Sequence, residues 1–381
     1  MKADKKRPRG LKSSAAANKD TNKKAKTEVN NNEIPENAQT VVIDRVVEEG
    51  DEVGEAAALF EDAMSKLEKN PSEALALLRG TIHESDRILR NWESEQPLPP
   101  LFYYTYGSAL YELGFINEEE DLDSYLEAAE ERLLDGLDHY NQLSDEKEKE
   151  KHEEVIYKIK SVLGKIGLIK ASSLITESTD EIPEKATNAL DILDKVASYS
   201  TISNAILIDI ANAAEKHGEL YVDFSSRCKF TNWAETIFKR VLEKEADNQR
   251  VLSDLGLLNL SLANYWLERA DENENNDDNR TERTEEEQNA YNAIILAKKY
   301  FLDAEEAMKK TESLSPQIYS DLAESYLNEA NLIFDEEEQK KLYKEVVKYI
   351  REAKSYQEKD EADFTLPEGL ELFLEEWKDE E

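Results

Sequence analysis

The chain has 381 residues and carries 85 acidic against 48 basic side chains, a formal net charge of -37. Aliphatic, aromatic and cysteine residues make up 39% of it, enough for a core, yet no run reaches the roughly 18 apolar residues of a membrane span. One cysteine, Cys228, excludes a disulfide framework within the chain and fits a reducing compartment.

The charge is unevenly placed. Residues 1–27 hold ten Lys or Arg and two Asp, a net of +8; the remaining 38 basic and 83 acidic residues give -45, and the two sum to -37. A body of that sign repels phosphate backbones, so no direct nucleic-acid binding by the body is expected, and cationic protein surfaces are the natural partners.

Residues 1–50 read as a disordered basic arm dominated by Lys, Asn, Ser and Ala. Its start leads into Ser13-Ser14-Ala15-Ala16-Ala17-Asn18 and not into an apolar core segment, so no signal peptide is expected. Within the arm, Lys5-Lys6-Arg7-Pro8-Arg9 and Lys23-Lys24-Ala25-Lys26 are short cationic clusters held extended by Pro8 and a polar spacer. Separated Lys and Arg on an extended strand suit the acidic, aromatic-lined groove of an importin. Lys5, Lys6, Arg7, Arg9, Lys23, Lys24 and Lys26 are thus the candidate nuclear-localisation residues, against the plainer reading of a solubilising tail.

Helical periodicity begins after Asp51, an N-cap for a helix to about residue 69 with Ala56, Phe60, Met64 and Leu67 on one stripe. Asn70-Pro71 opens a second helix to about Trp92, with Leu75, Leu78, Ile82 and Leu89 sharing a face. Further helices are predicted at about 101–113, 121–142, 145–177, 183–199 and 202–217, the last closed by Gly218. The C-terminal half continues with about 232–246, 248–270, 286–310, 317–333, 336–357 and 367–377. Ser144, Thr201, Thr231 and Asp335 are the expected caps. No alternating run long enough for a sheet is found, so the expected fold is all-α.

So many antiparallel helices cannot share one core, which favours a stack of helix pairs. Tyr103-x₂-Tyr106-Gly107-x₂-Leu110, Leu252-x₂-Leu255-Gly256-x₂-Asn259 and Tyr319-x₂-Leu322-Ala323-x₂-Tyr326 partly match the first helix of a tetratricopeptide repeat, where a small residue lets helices approach closely. The expectation is an irregular tetratricopeptide- or HEAT-like solenoid. It has an N-terminal helical part over 51–200 and a C-terminal repeat part over 201–381, the latter interrupted by an acidic loop at 271–287.

The chemistry of an enzyme is not visible. The glycines form neither G-x-G-x-x-G nor a phosphate loop, and the histidines at 83, 139, 152 and 217 have no second His or Cys at metal-ligand spacing. Arg227 and Lys229 would lower the thiol pKa of Cys228 if it were exposed, but no companion motif supports a nucleophile. No catalytic, cofactor-binding or metal-binding residue is expected, and the chain reads as a non-enzyme. On the second helix, Asp86 falls among apolar neighbours and needs a partner, either Arg90 or a Tyr of the 101–113 helix. His83, Asp86, Arg87 and Arg90 together form either a partner-contact patch or an inter-helix packing site with Gly80.

The Lys6-Arg7-Pro8-Arg9-Gly10-Leu11 start and the Gly80-x-x-His83-Glu84-x-Asp86-Arg87-x-Leu89-Arg90 helix resemble the enhancer of translation termination family. That family includes a nuclear negative regulator of a prolyl-hydroxylase-like, 2-oxoglutarate-dependent dioxygenase. The resemblance implies an all-helical, HEAT- or tetratricopeptide-like body and a nuclear location. It also implies a requirement in stop-codon termination and a dioxygenase partner whose import is aided and whose activity is restrained in oxygen- and sterol-linked gene expression. No contact residue is carried over. The reading is a nuclear adaptor that works by protein binding, with importin, the dioxygenase and the termination machinery as partners and no cofactor. Its rival is an acidic chaperone of basic clients such as histones or ribosomal proteins.

Overall fold

The computed structural model describes residues 47–48, 50–67, 69–94, 97–117, 121–176, 181–272, 281–357 and 364–378. The nuclear-localisation candidates Lys5, Lys6, Arg7, Arg9, Lys23, Lys24 and Lys26 lie outside them. Among the described residues there are thirteen α-helices and no strand. They are α1 (Glu52–Lys66), α2 (Pro71–Asn91), α3 (Pro100–Ile116), α4 (Leu122–Gln142), α5 (Glu146–Ser172), α6 (Glu184–Ala197) and α7 (Asn204–Glu219). They continue with α8 (Phe224–Leu242), α9 (Gln249–Glu272), α10 (Glu285–Thr311), α11 (Pro316–Asn331), α12 (Glu336–Gln357) and α13 (Glu368–Lys378). None is long and apolar enough to cross a membrane.

The helices start where local chemistry satisfies their orphan amides. Asp51 accepts from Gly54 N at 2.9 Å, and Asn70 accepts from Glu73 N at 3.3 Å with Pro71 in the first turn. Asp335 accepts from Glu338 N at 2.8 Å. Several predicted boundaries move. Asp145, not Ser144, precedes α5 and accepts from Lys147 N at 2.9 Å, and α5 ends at Ser172 and not near 177. Ser203, not Thr201, caps α7. Helix α8 begins at Phe224 under an Asp223 cap, a turn or more before Thr231, which lies inside it and donates to Arg227 O. The bounds expected for the acidic loop, 271–287, overlap the flanking helices: α9 runs to Glu272, and a Thr284–Glu287 capping box starts α10.

The chain forms two compact units. The first comprises the described residues up to Ala171 together with Glu184–Ile202. In it α1 packs on α2, α2 on α3 and α3 on α4. Phe60, Leu78, Phe102, Leu110, Leu126, Leu133 and Ile159 belong to its core. Gly107 does what the repeat-like motif requires, since a Cβ there would stand 2.5 Å from Leu133 Cγ on α4. Gly80 does not: a Cβ there would meet nothing within 4 Å, so it is not a packing glycine. The buried stripe of α2 runs through Leu78, Ile82 and Ile88, whereas Leu89 is exposed.

The second unit comprises Ser172–Pro183 and the chain from Ser203 onward. Its antiparallel pairs are α7 with α8, α9 with α10 and α11 with α12. Gly256 on α9 seats the Phe301 ring of α10, with a hypothetical Cβ only 2.3 Å from Phe301 Cε1, and Ala323 of the third motif is fully buried. Gly218 does not end α7; it lets that helix approach Phe230 and Thr231 of α8. Paired, antiparallel and short-looped, the helices are the all-α repeat architecture that the periodicity implied.

Candidate functional site

The first candidate is the α2 patch. Tyr106 Oη of α3 donates to Asp86 Oδ1 at 2.6 Å, so the carboxyl on the apolar stripe finds its partner in the tyrosine-bearing helix. Arg90 donates from Nε to the backbone oxygen of Asp86 at 3.0 Å and does not reach the carboxylate. Arg87 is also engaged: its Nε reaches both carboxylate oxygens of Glu84 (2.9 and 3.0 Å), and its Nη2 reaches Glu52 Oε1 of α1 at 2.9 Å. Those two carboxylates hold the guanidinium well above its usual range. His83 and Arg90 remain exposed.

The second candidate was not legible as a site in the sequence. On the second unit, α7, α8 and α9 enclose an open groove of about 770 Å³. An adjoining cavity of about 60 Å³ shares Glu215, Glu219, Arg227 and Ser261 with it. Glu215 follows Ile208 and Ala211 along the apolar stripe of α7 and is only 7% exposed. It has no hydrogen-bond partner among the described residues. Burial, then the Glu219 and Asp254 carboxylates, push its pKa up to about 8 against the opposing Lys216 and Arg227.

Arg227 is buried across the groove but spends its donors elsewhere. Its Nη1 donates to Glu219 O at 3.2 Å and its Nη2 to Ser261 Oγ at 2.7 Å, while its guanidinium carbon stands 5.0 Å from the Tyr265 ring centre. Asp254 accepts from Asn212 Nδ2 at 3.1 Å, and burial raises its pKa too. The groove therefore gathers the carboxyls Glu215, Glu219, Asp254 and Glu268 beside Lys216, Arg227 and Arg250, and burial holds Glu215 and Asp254 toward their protonated forms. Cys228 sits beside it half-buried; burial pushes its thiol up, and the nearby Arg227 only partly opposes this.

The four histidines stay apart. His83 is exposed, His139 Nε2 meets Tyr103 Oη at 3.2 Å, and buried His217 meets Tyr221 Oη at 3.0 Å. Among the described residues no group of three or more His, Cys, Asp or Glu is arranged to hold a metal ion.

Fold and grooves together define an all-α helical-repeat protein. The chain belongs to the family described as nuclear pore complex subunit Nro1, which it matches over residues 2–215, and it is a nuclear protein. The resemblance to the enhancer of translation termination family holds. A protein named enhancer of translation termination 1 from Meyerozyma guilliermondii is 25% identical over 223 residues, covering 58% of this chain and 46% of that one. The negative regulator of ofd1 from Schizosaccharomyces pombe is 38% identical over 102 residues, covering 24% and 26%. The matched stretches thus span between about a quarter and a half of these relatives' length. Among solved structures, that of the S. pombe nuclear import adaptor Nro1 superposes with a TM-score of 0.53 at 21% identity, covering 86% of this chain and 99% of that one.

Proposed function

We propose that the chain is a nuclear import adaptor and regulator that acts by gripping other proteins and catalyses no reaction itself. Its relatives support the role: Nro1 is described as a nuclear import adaptor and hypoxic regulator of sterol synthesis, and others as a negative regulator of ofd1 or an enhancer of translation termination. On this reading a prolyl-hydroxylase-like 2-oxoglutarate dioxygenase is the cargo that is imported and restrained. The arm clusters Lys5, Lys6, Arg7, Arg9, Lys23, Lys24 and Lys26 engage importin, and contacts with the termination machinery serve correct stop-codon reading.

The observation that carries the protein-binding reading is Glu215, a carboxyl 7% exposed that lines an open groove. A lysine or arginine of a partner reaching it would favour the ionised form that burial disfavours and make the carboxyl a contact. In the α2 patch, internal bonds use Asp86 and Arg87, so His83 and Arg90 are the part left for a partner.

Deleting residues 1–27 should shift a fluorescent fusion of the chain, and the dioxygenase with it, toward the cytoplasm; unchanged nuclear accumulation of both removes the import role. Affinity purification of the full chain at low and high salt tests the cargo. Retention of the dioxygenase at both supports a packed interface, whereas recovery at neither sinks the assignment. The acidic groove also favours a second reading, the chaperone of basic clients, and release of all captured protein by salt alone would select it.

A further inference from the structure

Five lysines of the first unit have carboxylate partners, as a body this acidic leads one to expect. Lys66 pairs with Asp62, Lys149 with Glu146, Lys151 with Glu148, Lys158 with Glu154 and Lys170 with Glu130. Lys69 and Lys147 have none among the described residues and stand singly, whereas three further lysines gather at one place. Lys160 of α5 and Lys185 and Lys195 of α6 have no ion pair among the described residues, and all three rim one groove of about 370 Å³. Its floor is apolar, formed by Leu134 and Leu137 of α4, Leu163 of α5 and Ile192 of α6. Leu134 is 46% exposed, a large apolar side chain left to solvent.

We propose that this groove docks an acidic amphipathic helix of a partner protein, its apolar face on Leu134, Leu137, Leu163 and Ile192 and its carboxylates on Lys160, Lys185 and Lys195. The charge argument selects the sign of the occupant: the one carboxylate in the lining, Glu130, is paired with Lys170, so three lysines give the rim a cationic excess in a chain of net charge -37 and attract what the rest of the surface repels. At Lys160, whose ammonium lies 5.0 Å from the Tyr157 ring centre, burial and then Lys195 disfavour the charge and Glu153 only partly opposes them. A carboxylate arriving there would relieve both.

The mode of recognition follows from what the groove lacks. No strand edge exists among the described residues for an extended peptide to pair with, and no aromatic residue lines the groove to receive a polyproline segment. A helix laid in an apolar trough remains. Lys185, Asn188, Ala189, Ile192 and Lys195 recur at intervals of three or four along α6. The eleven residues from Lys185 to Lys195 span about 15 Å, close to three turns of an occupant helix. This inference stands apart from the acidic groove and from the identity of any import cargo.

The test uses the full chain and a fluorescein-labelled peptide of about 18 residues with Leu at i, i+3, i+4 and i+7 and Glu elsewhere. Its Lys-for-Glu counterpart is the control. Fluorescence anisotropy should show saturable binding of the acidic peptide despite like net charge, weakened roughly tenfold or more in the K160E/K195E double variant. Leu134→Ser, a separate change on an exposed floor residue, should weaken it at high salt as well as low. Circular dichroism checks that both variants fold. Absence of saturable binding, or equal binding to wild type and K160E/K195E, overturns the proposal. Concentration-dependent self-association abolished by K160E/K195E, without peptide binding, would overturn it in favour of a second copy as occupant.

Discussion

Two carboxyls lie on the apolar stripes of their helices, Asp86 on α2 in the first unit and Glu215 on α7 in the second. Asp86 receives a 2.6 Å bond from Tyr106, a residue twenty positions along the chain that α3 carries to it. Glu215 is more deeply buried, faces two further carboxylates and receives no hydrogen bond among the described residues. The same residue class at the same kind of position is thus a hydrogen-bonded structural contact in one unit and, in the other, a carboxyl that burial drives toward its protonated form. Buried polar groups are ordinarily satisfied within the fold, so Glu215 is the exception of the pair, and the proposed function places a partner there.

The comparison can be broken at either end. The largest effect is expected at Glu215. Its folded pKa, about 8, lies above that of an ordinary glutamate, so the native state holds a proton that the unfolded chain releases. Stability from this group is therefore fully present below the ordinary glutamate range and is lost as pH rises toward 8. Glu215→Gln, which keeps the size and removes the titration, should raise stability at pH 8 by on the order of 3 kcal/mol and by far less at pH 5. Urea denaturation of both proteins at the two pH values measures this, and a gain independent of pH would mean the carboxyl is not the cause.

At the other end, Tyr106→Phe removes the donor and leaves the Asp86 carboxyl half-buried without it, a loss of about 1–3 kcal/mol in thermal or urea unfolding. A negligible loss would show that water serves Asp86 as well as the tyrosine does. The smallest change sharpens the account of α2 itself: Gly80→Ala adds a methyl that meets nothing within 4 Å in the interior of a helix. It should stabilise by roughly 0.5–1 kcal/mol through helix propensity alone. A loss instead would restore Gly80 to a close-packing role.

The Asp86 contact could be read ahead of the structure because both partners are announced locally. An acid falls on an apolar stripe, and the proline-initiated helix beyond the next linker carries Tyr103, Tyr104 and Tyr106. Glu215 also sat on a readable stripe, behind Ile208 and Ala211, and that was the signal available. What hid it was distance along the chain. Its burial is completed by α9, and its charged neighbour Asp254 lies 39 positions beyond it, a separation over which no helical period carries information. The lysine-rimmed groove was hidden for the same reason, since α4, α5 and α6 each contribute only one part of it. The late start predicted for α8 has a different cause. Arg227 interrupts the apolar pattern over Phe224–Phe230, and only its burial against Ser261 and Tyr265 shows why a helix places it there.

For this protein, composition and periodicity alone determined an all-α chain of repeated helix pairs with a cationic arm on an anionic body. Amphipathic spacing, caps and prolines act within a few residues of where they are written. Only the tertiary structure decided which polar groups are met: Tyr106 reaches Asp86, whereas among the described residues Glu215 receives no hydrogen bond and the three lysines of the α4–α6 groove have no ion pair. Whether a charge is compensated depends on side chains brought together from distant helices, and no local pattern encodes that distance.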